Sequence, residues 1–262
     1  MKIQVFGKVL RQEKVGDNVY CLTLKAPEIA RAAGPGQFIQ VRCSNSLQPL
    51  LRKPFSLHEI DEEAGTISLL YEVKGEGSKL LAKLRKQDKV DLVGPLGNGF
   101  NLLKQGKAIL VGGGMGIAPL LPLAARFKQL GLEFITILGF NDGKRVCRIE
   151  AFQKFSPVIL TTLDGSQGEK GLVTEPLKRE LETGSYSMIY ACGPEGMLKA
   201  VAELAEAKEV ECQVSLEAYM ACGFGACLGC ACQLKNPIET TYARVCTEGP
   251  VFKSREVIWH EG

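Results

Sequence analysis

The sequence predicts a multi-domain protein in three parts: an antiparallel β-barrel over residues 1–100, an α/β domain with a parallel sheet over 101–210, and a small cysteine-rich domain over 211–262. Three observations carry that expectation. The first hundred residues hold short runs of alternating polarity separated by turn residues. From Lys107 onward, apolar strands alternate with helical periodicity, which is the pattern of a parallel sheet covered on both faces. The tail carries ACGFGACLGCAC at 221–232, a run of thiols among glycines and alanines that leaves the backbone uncluttered.

At 262 residues the chain has room for two compact domains and an appendage. Its 32 basic and 29 acidic residues leave a net charge of +3, too little for a nucleic-acid field. The opening MKIQVFGKVLRQEK lacks the apolar core and small-residue cleavage site of a signal peptide and the arginine bias of a transit peptide. A reducing, cytoplasmic setting is therefore expected, with thiols free to bind metal. Ala108 to Ala125 is 18 residues without a charge, the shortest length at which a membrane span is suspected. Its four glycines between Gly112 and Gly116, with Pro119 and Pro122, read instead as strand, turn and helix start.

In the barrel, strands are expected at Tyr20 to Lys25, Gly36 to Cys43 and Thr66 to Val73, with Ile39, Val41 and Cys43 on one apolar side and Ile67, Leu69, Tyr71 and Val73 on another. AGPG at 33–36 and GEGS at 75–78 punctuate them. Many short strands at close spacing need closure to hide their edges. Two stretches could hold a ligand. LRKPFSLH at 51–58 sets two cations, an aromatic ring and a hydroxyl close together; LYEVKGEGS at 70–78 ends a strand in a glycine turn that opens the helix KLLAKL, whose free N–H groups suit a phosphate. VGPLGNGF at 93–100 reads as the barrel's exit.

In the α/β part, strands are expected at Lys107–Gly112, Glu133–Phe140, Val158–Leu163 and Ser187–Cys192, and helices at Ile117–Leu130, Ile149–Phe155, Val173–Leu181 and Pro194–Lys208. Ligands in such sheets bind at the carboxyl ends of the strands. Two glycine turns fall there: Gly112, Gly113, Gly114 and Gly116 with Pro119, which would set N–H groups against a pyrophosphate, and Cys192-Gly193-Pro194, an open floor beside it. Pro119 stands where G-x-G-x-x-G would have its third glycine. Asp164-Gly165-Ser166 is a further candidate contact, and Asp142 suits ribose hydroxyls, while Lys144 and Arg145 could welcome a 2′-phosphate. The two histidines, His58 and His260, lack a nucleophile partner and read as surface residues, so the chemistry falls to cofactors.

The cysteines are the most specific signal. Cys222, Cys227 and Cys230 follow C-x4-C-x2-C and Cys246 lies sixteen positions on, matching the run that holds a [2Fe-2S] cluster in plant-type ferredoxins. Gly223, Gly225 and Gly229 leave the backbone free to close on a metal. Four thiolates suit zinc as well, and Cys232 could compete with Cys230, although only Cys230 keeps the x2 gap. A disulfide framework or a reactive dithiol fits less well.

With these features in chain order, the sequence resembles the ferredoxin-NADP reductase superfamily, and within it the electron-transfer subunits of dihydroorotate dehydrogenase B. KPFS at 53–56, LYE at 70–72, GS at 77–78, GPLGNGF at 94–100, GGGMGIAP at 112–119, CGP at 192–194 and the tail ACGFGACLGCAC with CTEGPVF carry the likeness. The resemblance implies FAD across the barrel, held by Lys53, Pro54, Phe55, Ser56, Leu70, Tyr71, Glu72, Gly77 and Ser78. It implies NAD over Gly112–Gly116 and Pro119, with its ring near Cys192, Gly193 and Pro194, and a [2Fe-2S] cluster on Cys222, Cys227, Cys230 and Cys246. The superfamily motif R-x-[YF]-[ST] begins here with Lys53, and arginine stands one place earlier as Arg52; lysine lacks the bidentate fork, so either could meet the flavin phosphate. The resemblance further implies a separate FMN-containing catalytic subunit of dihydroorotate dehydrogenase as partner in a heterotetramer, no nucleic acid and no membrane. Electrons would leave dihydroorotate on that FMN, cross the cluster singly, collect on FAD and pass as hydride to NAD+. A second member of the same class is an NAD(P)H:ferredoxin-type reductase subunit of a bifurcating flavoprotein complex, whose first cluster position looks to be aspartate where Cys222 stands here. A zinc-stabilised binding module on the same fold is the non-redox alternative.

Overall fold

The computed structural model describes residues 2–44, 46–235 and 240–259. The first part is a closed six-stranded antiparallel barrel of β1 (Ile3–Gly16), β2 (Val19–Lys25), β3 (Phe38–Val41), β4 (Lys53–Asp61), β5 (Thr66–Glu72) and β6 (Lys89–Leu96), in the order β1-β2-β5-β4-β3-β6. Closure depends on β1. Its first half pairs with β6 from Ile3↔Gly94 to Lys8↔Lys89, and its second half pairs with β2 from Lys8↔Lys25 to Gly16↔Val19, so one long strand serves both neighbours. Alternate residues such as Leu22, Leu24, Ile67 and Leu69 fill the interior with Ile39, Val41, Leu57 and Leu92. Two short helices, α1 (Pro27–Ala32) and α2 (Glu76–Leu81), contribute Ile29 and Leu81 to that interior.

Two sequence expectations change here. The strand over Gly36 to Cys43 is shorter, and all four residues of β3 are buried, not only Ile39 and Val41; the outer face of β3 is covered, since Phe38 packs in the same core as Cys230 and Val245 of the tail. VGPLGNGF is not all exit, because Val93 to Leu96 complete β6. Gly94 fits there because a Cβ would stand 2.5 Å from Cγ2 of Ile39 on the neighbouring strand β3. The chain turns only at Gly97, with φ 73°.

The second part is a seven-stranded sheet built from β7 (Lys107–Gly113), β8 (Glu133–Phe140), β9 (Val158–Thr162), β10 (Glu169–Lys170), β11 (Met188–Cys192), β12 (Glu211–Ser215) and, last in the chain, β15 (Val251–Lys253), in the order β10-β9-β8-β7-β11-β12-β15. All neighbours are parallel except β12 and β15. Four helices cover it: α3 (Leu120–Gln129), α4 (Ile149–Gln153), α5 (Thr174–Thr183) and α6 (Glu195–Ala207). Period-2 alternation splits β7 between two cores. Ala108 and Leu110 meet Leu120, Leu123 and Phe127 of α3 and Phe152 of α4; Ile109 and Val111 meet Leu177 of α5 and Leu198 and Val201 of α6. The helix expected from Ile117 begins at Leu120, because Gly114–Ile117 form a 3-10 turn and Pro119 takes the cap position.

From β12 the chain runs through the cysteine stretch to the hairpin β13 (Ala231–Lys235) and β14 (Thr240–Arg244), then returns as β15. Two strands from the 211–262 stretch thus belong to the seven-stranded sheet, and Cys230, Val245 and Cys246 share a core with Ile189 and Val214. No helix among the described residues is long and apolar enough to cross a membrane.

Candidate functional site

The sheet changes winding direction between β7 and β11: β8, β9 and β10 follow on one side of β7, while β11 and β12 add on the other. A cleft of about 440 Å³ opens at that switch point, the place where such sheets bind ligands. Gly113, Gly114, Met115 and Gly116 form one wall, Gly193, Pro194 and Met197 another, and Phe140, Asn141 and Thr161 a third. The glycines are there for close approach. A Cβ on Gly116 would stand 2.3 Å from the carbonyl oxygen of Cys192, and one on Gly113 would stand 2.5 Å from the Met197 sulfur. Gly114 takes φ 53° and faces open space. Gly112 and Pro119 do not line the cleft; Gly112 packs beneath it, with Ile117 and Leu138 at 3.0 Å from its notional Cβ. Thr161 is buried on this wall with its hydroxyl unpartnered among the described residues, a polar group that a dinucleotide would satisfy. Asp142, by contrast, is occupied capping Gly143–Arg145, accepting from Lys144 N (2.9 Å) and Arg145 N (3.2 Å). Asp164 likewise accepts from Ser166 N and Oγ, and does not line the cleft.

A second cleft, of about 230 Å³, adjoins the first. Pro54, Phe55, Ser56, Leu70, Tyr71 and Glu72 line it from the barrel, Met115, Ala118 and Cys192 from the sheet, and Ser215 to Ala218 with Met220 from the chain leaving β12. The aromatic floor is held rigid: Tyr71 lies 5.5 Å from Phe55 and 6.1 Å from Tyr20 by ring centroids, and its hydroxyl accepts from Gln12 Nε2 at 2.7 Å. Burial pushes the Tyr71 phenol up to about 12, so it stays protonated. Lys53, Gly77 and Ser78 stand together beyond this cleft. The Lys53 stem is 3.3 Å from the notional Cβ of Gly77, and the Ser78 hydroxyl accepts from Lys74 N and Gly75 N at the head of α2. Of the two neighbouring cations, Arg52 is committed. It donates to Asp91 Oδ2 (2.5 Å) and to the Asp91 carbonyl (3.0 Å); burial raises Asp91, and Arg52 with Gln4 more than offsets this and holds the carboxyl below its usual range. Lys53 is exposed.

The four motif cysteines are brought together, from a loop and from the turn after β14. Cys222 and Cys227 are within thiol-to-thiol reach, as are Cys230 and Cys246, with Cys222 close enough to influence Cys246. Cys230 and Cys246 are buried, Cys222 half-buried and Cys227 exposed. Among the described residues no three His, Cys, Asp or Glu side chains converge on a single ion. Thiols in two pairs suit a two-iron rhombus, which takes two thiolates on each iron. The donor set fits such a group in a second way. Burial raises the Cys222 thiol, yet N–H groups of Phe224, Cys227 and Ala226 outweigh it and bring it down to about 6. Burial and the adjacent Cys230 push Cys246 up to about 12, the strain of crowding thiols that a metal would relieve by taking their protons. Gly223 (φ 76°) and Gly225 (φ 93°) let the loop fold back on itself. Cys232 is half-buried on β13, close enough to Cys230 for the two to interact.

Several residues at these sites carry no local sequence signal. Arg244 donates to the Gly225 carbonyl (3.0 Å) while Glu248 grips its guanidinium (2.5 and 3.0 Å), bracing the cysteine loop. Asn98 in the barrel's exit turn donates to the carbonyls of Thr247 and Glu248 (3.1 and 3.0 Å). Gln40 is wholly buried under Gly223, with neither amide atom partnered among the described residues. His58 is wholly buried as well, contrary to the surface position expected of it, because Ala118 and Arg148 of the α/β part close over it. His260 lies outside the described residues.

Comparison with known proteins agrees with this layout. The family described as the oxidoreductase FAD-binding domain matches residues 7–100, the oxidoreductase NAD-binding domain 110–203, and the iron-sulfur cluster binding domain of dihydroorotate dehydrogenase B 217–258. The chain therefore carries domains for FAD, NAD and a [2Fe-2S] cluster. The dihydroorotate dehydrogenase B (NAD(+)) electron transfer subunit of Caldanaerobacter subterraneus subsp. tengcongensis is 40% identical over 259 residues, 99% of this chain and 100% of that one. The Geobacillus kaustophilus protein of that name is 40% identical over 254 residues, 95% of this chain and 96% of its own. Among solved structures, a chain of an NADH-dependent reduced ferredoxin-NADP oxidoreductase, studied for flavin-based electron bifurcation, superposes with TM-score 0.88 at 28% identity over 97% of this chain and 90% of that one. With the paired thiols, the two adjoining clefts and near-complete coverage in agreement, the chain belongs to the family of dihydroorotate dehydrogenase B electron-transfer subunits.

Proposed function

We propose that this chain is the electron-transfer subunit of an NAD-dependent dihydroorotate dehydrogenase of pyrimidine biosynthesis, working in the reducing cytoplasm beside an FMN-containing catalytic subunit in a heterotetramer. One observation carries the reading. The eight residues from Ser215 to Cys222 touch all three sites: Glu217 lines both clefts, Ser215, Leu216, Ala218 and Met220 line the flavin cleft, and Cys222 begins the cysteine loop. Nicotinamide, flavin and cluster sites are thus neighbours along one strip of chain.

When bound, FAD exchanges a hydride with NAD(H) and single electrons with the cluster. Phe55 and Tyr71 provide the flavin with a rigid apolar wall, and Lys53, with Arg52 already paired, is the cation for the flavin phosphate. Gly113 to Gly116 would offer backbone N–H groups to the pyrophosphate, and Cys192, which lines the second cleft next in the chain to Gly193 and Pro194 of the first, would form part of the floor where the two clefts adjoin. Its thiol is pushed well above its usual range by burial, so it is a neutral contact and not a nucleophile. Cys222, Cys227, Cys230 and Cys246 hold the cluster. Around their loop Tyr219, Phe224, Leu228 and Tyr242 are exposed, an apolar rim suited to the partner subunit. Loop and rim together put single-electron traffic at the edge that meets the partner.

The purified chain is expected to show flavin and iron-sulfur absorbance and to oxidise NADH with artificial acceptors, but to leave dihydroorotate untouched until the catalytic subunit is added. Dihydroorotate oxidation by the chain alone, or a colourless protein holding one zinc, refutes the proposal. The likeness to the bifurcating oxidoreductase chain favours a second reading, a reductase subunit serving ferredoxin. Co-purification from cells separates the two, since the companion protein differs.

A further inference from the structure

His58, on β4, has no exposed surface, and both of its ring nitrogens are engaged. Nδ1 lies 3.2 Å from the carbonyl oxygen of Ala118. A carbonyl only accepts, so Nδ1 carries the proton. Nε2 lies 3.0 Å from Nε of Arg148, and a guanidinium only donates, so Nε2 is bare. The two partners between them select the neutral Nδ1–H tautomer. Arg148 completes the group by donating from Nη2 to Glu59 Oε1 at 2.5 Å. It does so from a backbone φ of 63°, a left-handed conformation that a residue with a side chain adopts only under constraint.

The four residues come from two domains. His58 and Glu59 lie on the barrel; Ala118 and Arg148 lie in the α/β part, 60 and 90 positions from His58. Their location matters more than their number. Ser56, two residues before His58 on the same strand, lines the flavin cleft, and Ala118 lines that cleft from the facing wall. Ala118 also ends the glycine turn whose Gly113, Gly114 and Gly116 line the dinucleotide cleft. The Nδ1–H bond to Ala118 therefore joins the strand beside the flavin directly to the turn beneath the dinucleotide. An apolar side chain would fill the same space, but only a hydrogen bond fixes both a distance and a direction.

We propose that His58 is a positioning residue: oriented by Arg148, it sets the spacing between the flavin-lining strand and the dinucleotide-binding turn, and with it the distance over which hydride passes between nicotinamide and flavin. The proposal rests on the reading of the two clefts given above. In that step both electrons and the hydrogen nucleus leave the dihydronicotinamide together and arrive on the oxidised flavin, and His58 neither gives nor takes a proton. The role is geometric. A displacement of about 1 Å at a reacting pair costs about 100-fold in rate.

The test compares wild type, His58→Leu and His58→Asn in the FAD-loaded protein with its partner subunit, following flavin bleaching by NADH in rapid mixing. Asparagine keeps an N–H donor near the Nδ1 position; leucine keeps only the bulk. His58→Leu is expected to slow bleaching at saturating NADH by about 10- to 100-fold, counted per bound flavin, with the NADH concentration for half-maximal rate within about twofold of wild type. His58→Asn is expected to recover most of that loss. An independent reading comes from 15N imidazole resonances of the wild-type chain, which has only two histidines: one is expected as the neutral Nδ1–H tautomer at pH 7. Bleaching by His58→Leu at the wild-type rate per flavin, an asparagine variant no faster than the leucine one, or an Nε2–H tautomer for the buried ring would overturn the proposal. A wild-type flavin that NADH cannot bleach at all would overturn the cleft reading first, and the positioning role with it.

Discussion

Gln40 sits on β3 with no exposed surface, and its amide oxygen and nitrogen both lack a partner among the described residues. Burying an amide without hydrogen bonds costs about 1–3 kcal/mol. Its surroundings point to what offsets that cost: it pairs in register with Pro54, which lines the second cleft, and Gly223 of the cysteine loop lies against its side chain. Gln40→Leu is therefore expected to stabilise the cofactor-free chain by about 1 kcal/mol while lowering bound flavin and iron per chain. Thermal unfolding and absorbance stoichiometry check the two halves separately. His58 makes a prediction of the opposite kind. Burial lowers its imidazole from 6.5 to about 4, with the Arg148 guanidinium adding to the effect and Glu59 and the Ala118 carbonyl opposing it. The folded form refuses a proton that the unfolded form accepts, so this contribution is complete above pH 6.5 and is lost as pH falls toward about 4. The loss is on the order of 3 kcal/mol across that window. Urea midpoints of wild type should fall steeply between those pH values, and those of His58→Asn should fall less.

At the scale of elements, the cysteine loop depends on partners that the motif does not contain. Its Gly225 carbonyl is held by Arg244, whose guanidinium is gripped on two sides by Glu248. The Arg244 guanidinium, outweighing a smaller opposing effect of burial, holds the Glu248 carboxyl down at about 2, so the brace stays charged at neutral pH. Arg244→Ala removes both contacts and leaves four thiols on a slack loop. Iron per chain and the visible iron-sulfur band should fall by at least about half after gel filtration, with flavin content little changed; full iron retention would mean that the thiols alone organise the loop. The same dependence on remote partners explains which elements the sequence shows and which it hides. β2 and β5 were legible from side chains that alternate in polarity or share one face, and β7 and β8 from short apolar runs, since those strands are buried along most of their length. β4 was not, because KPFSLHEID has one end on the flavin cleft and His58 sealed by another domain, so no period-2 pattern survives. α3 begins three residues later than its apolar stripe suggests, since the glycine turn keeps Ile117 buried without making it helical.

Over the whole molecule, the cores ignore the domain boundaries. One joins Val19, Cys21 and Leu70 of the barrel to Phe127 and Tyr190 of the α/β part, and another joins Phe38 and Leu96 of the barrel to Cys230 and Cys246 of the tail and Ile189 of the sheet. The return of β15 against β12 closes the chain over its own sheet. That closure anchors the strip that lines the clefts, with Leu216 N donating to the Pro250 carbonyl at the head of β15, just ahead of the cysteine loop. The sequence alone determined the order of the parts, the period of most strands and helices, and the spacing of Cys222, Cys227, Cys230 and Cys246, since each of these is set by residues close together in the chain. Only the tertiary structure decided that Arg52 is paired and Lys53 exposed, that His58 is buried in one tautomer, that Gln40 is left without a partner among the described residues and that β15 joins the sheet. Each of those outcomes depends on groups tens to hundreds of residues away, and a charge, a proton or a hydrogen bond is assigned by what stands beside it in space.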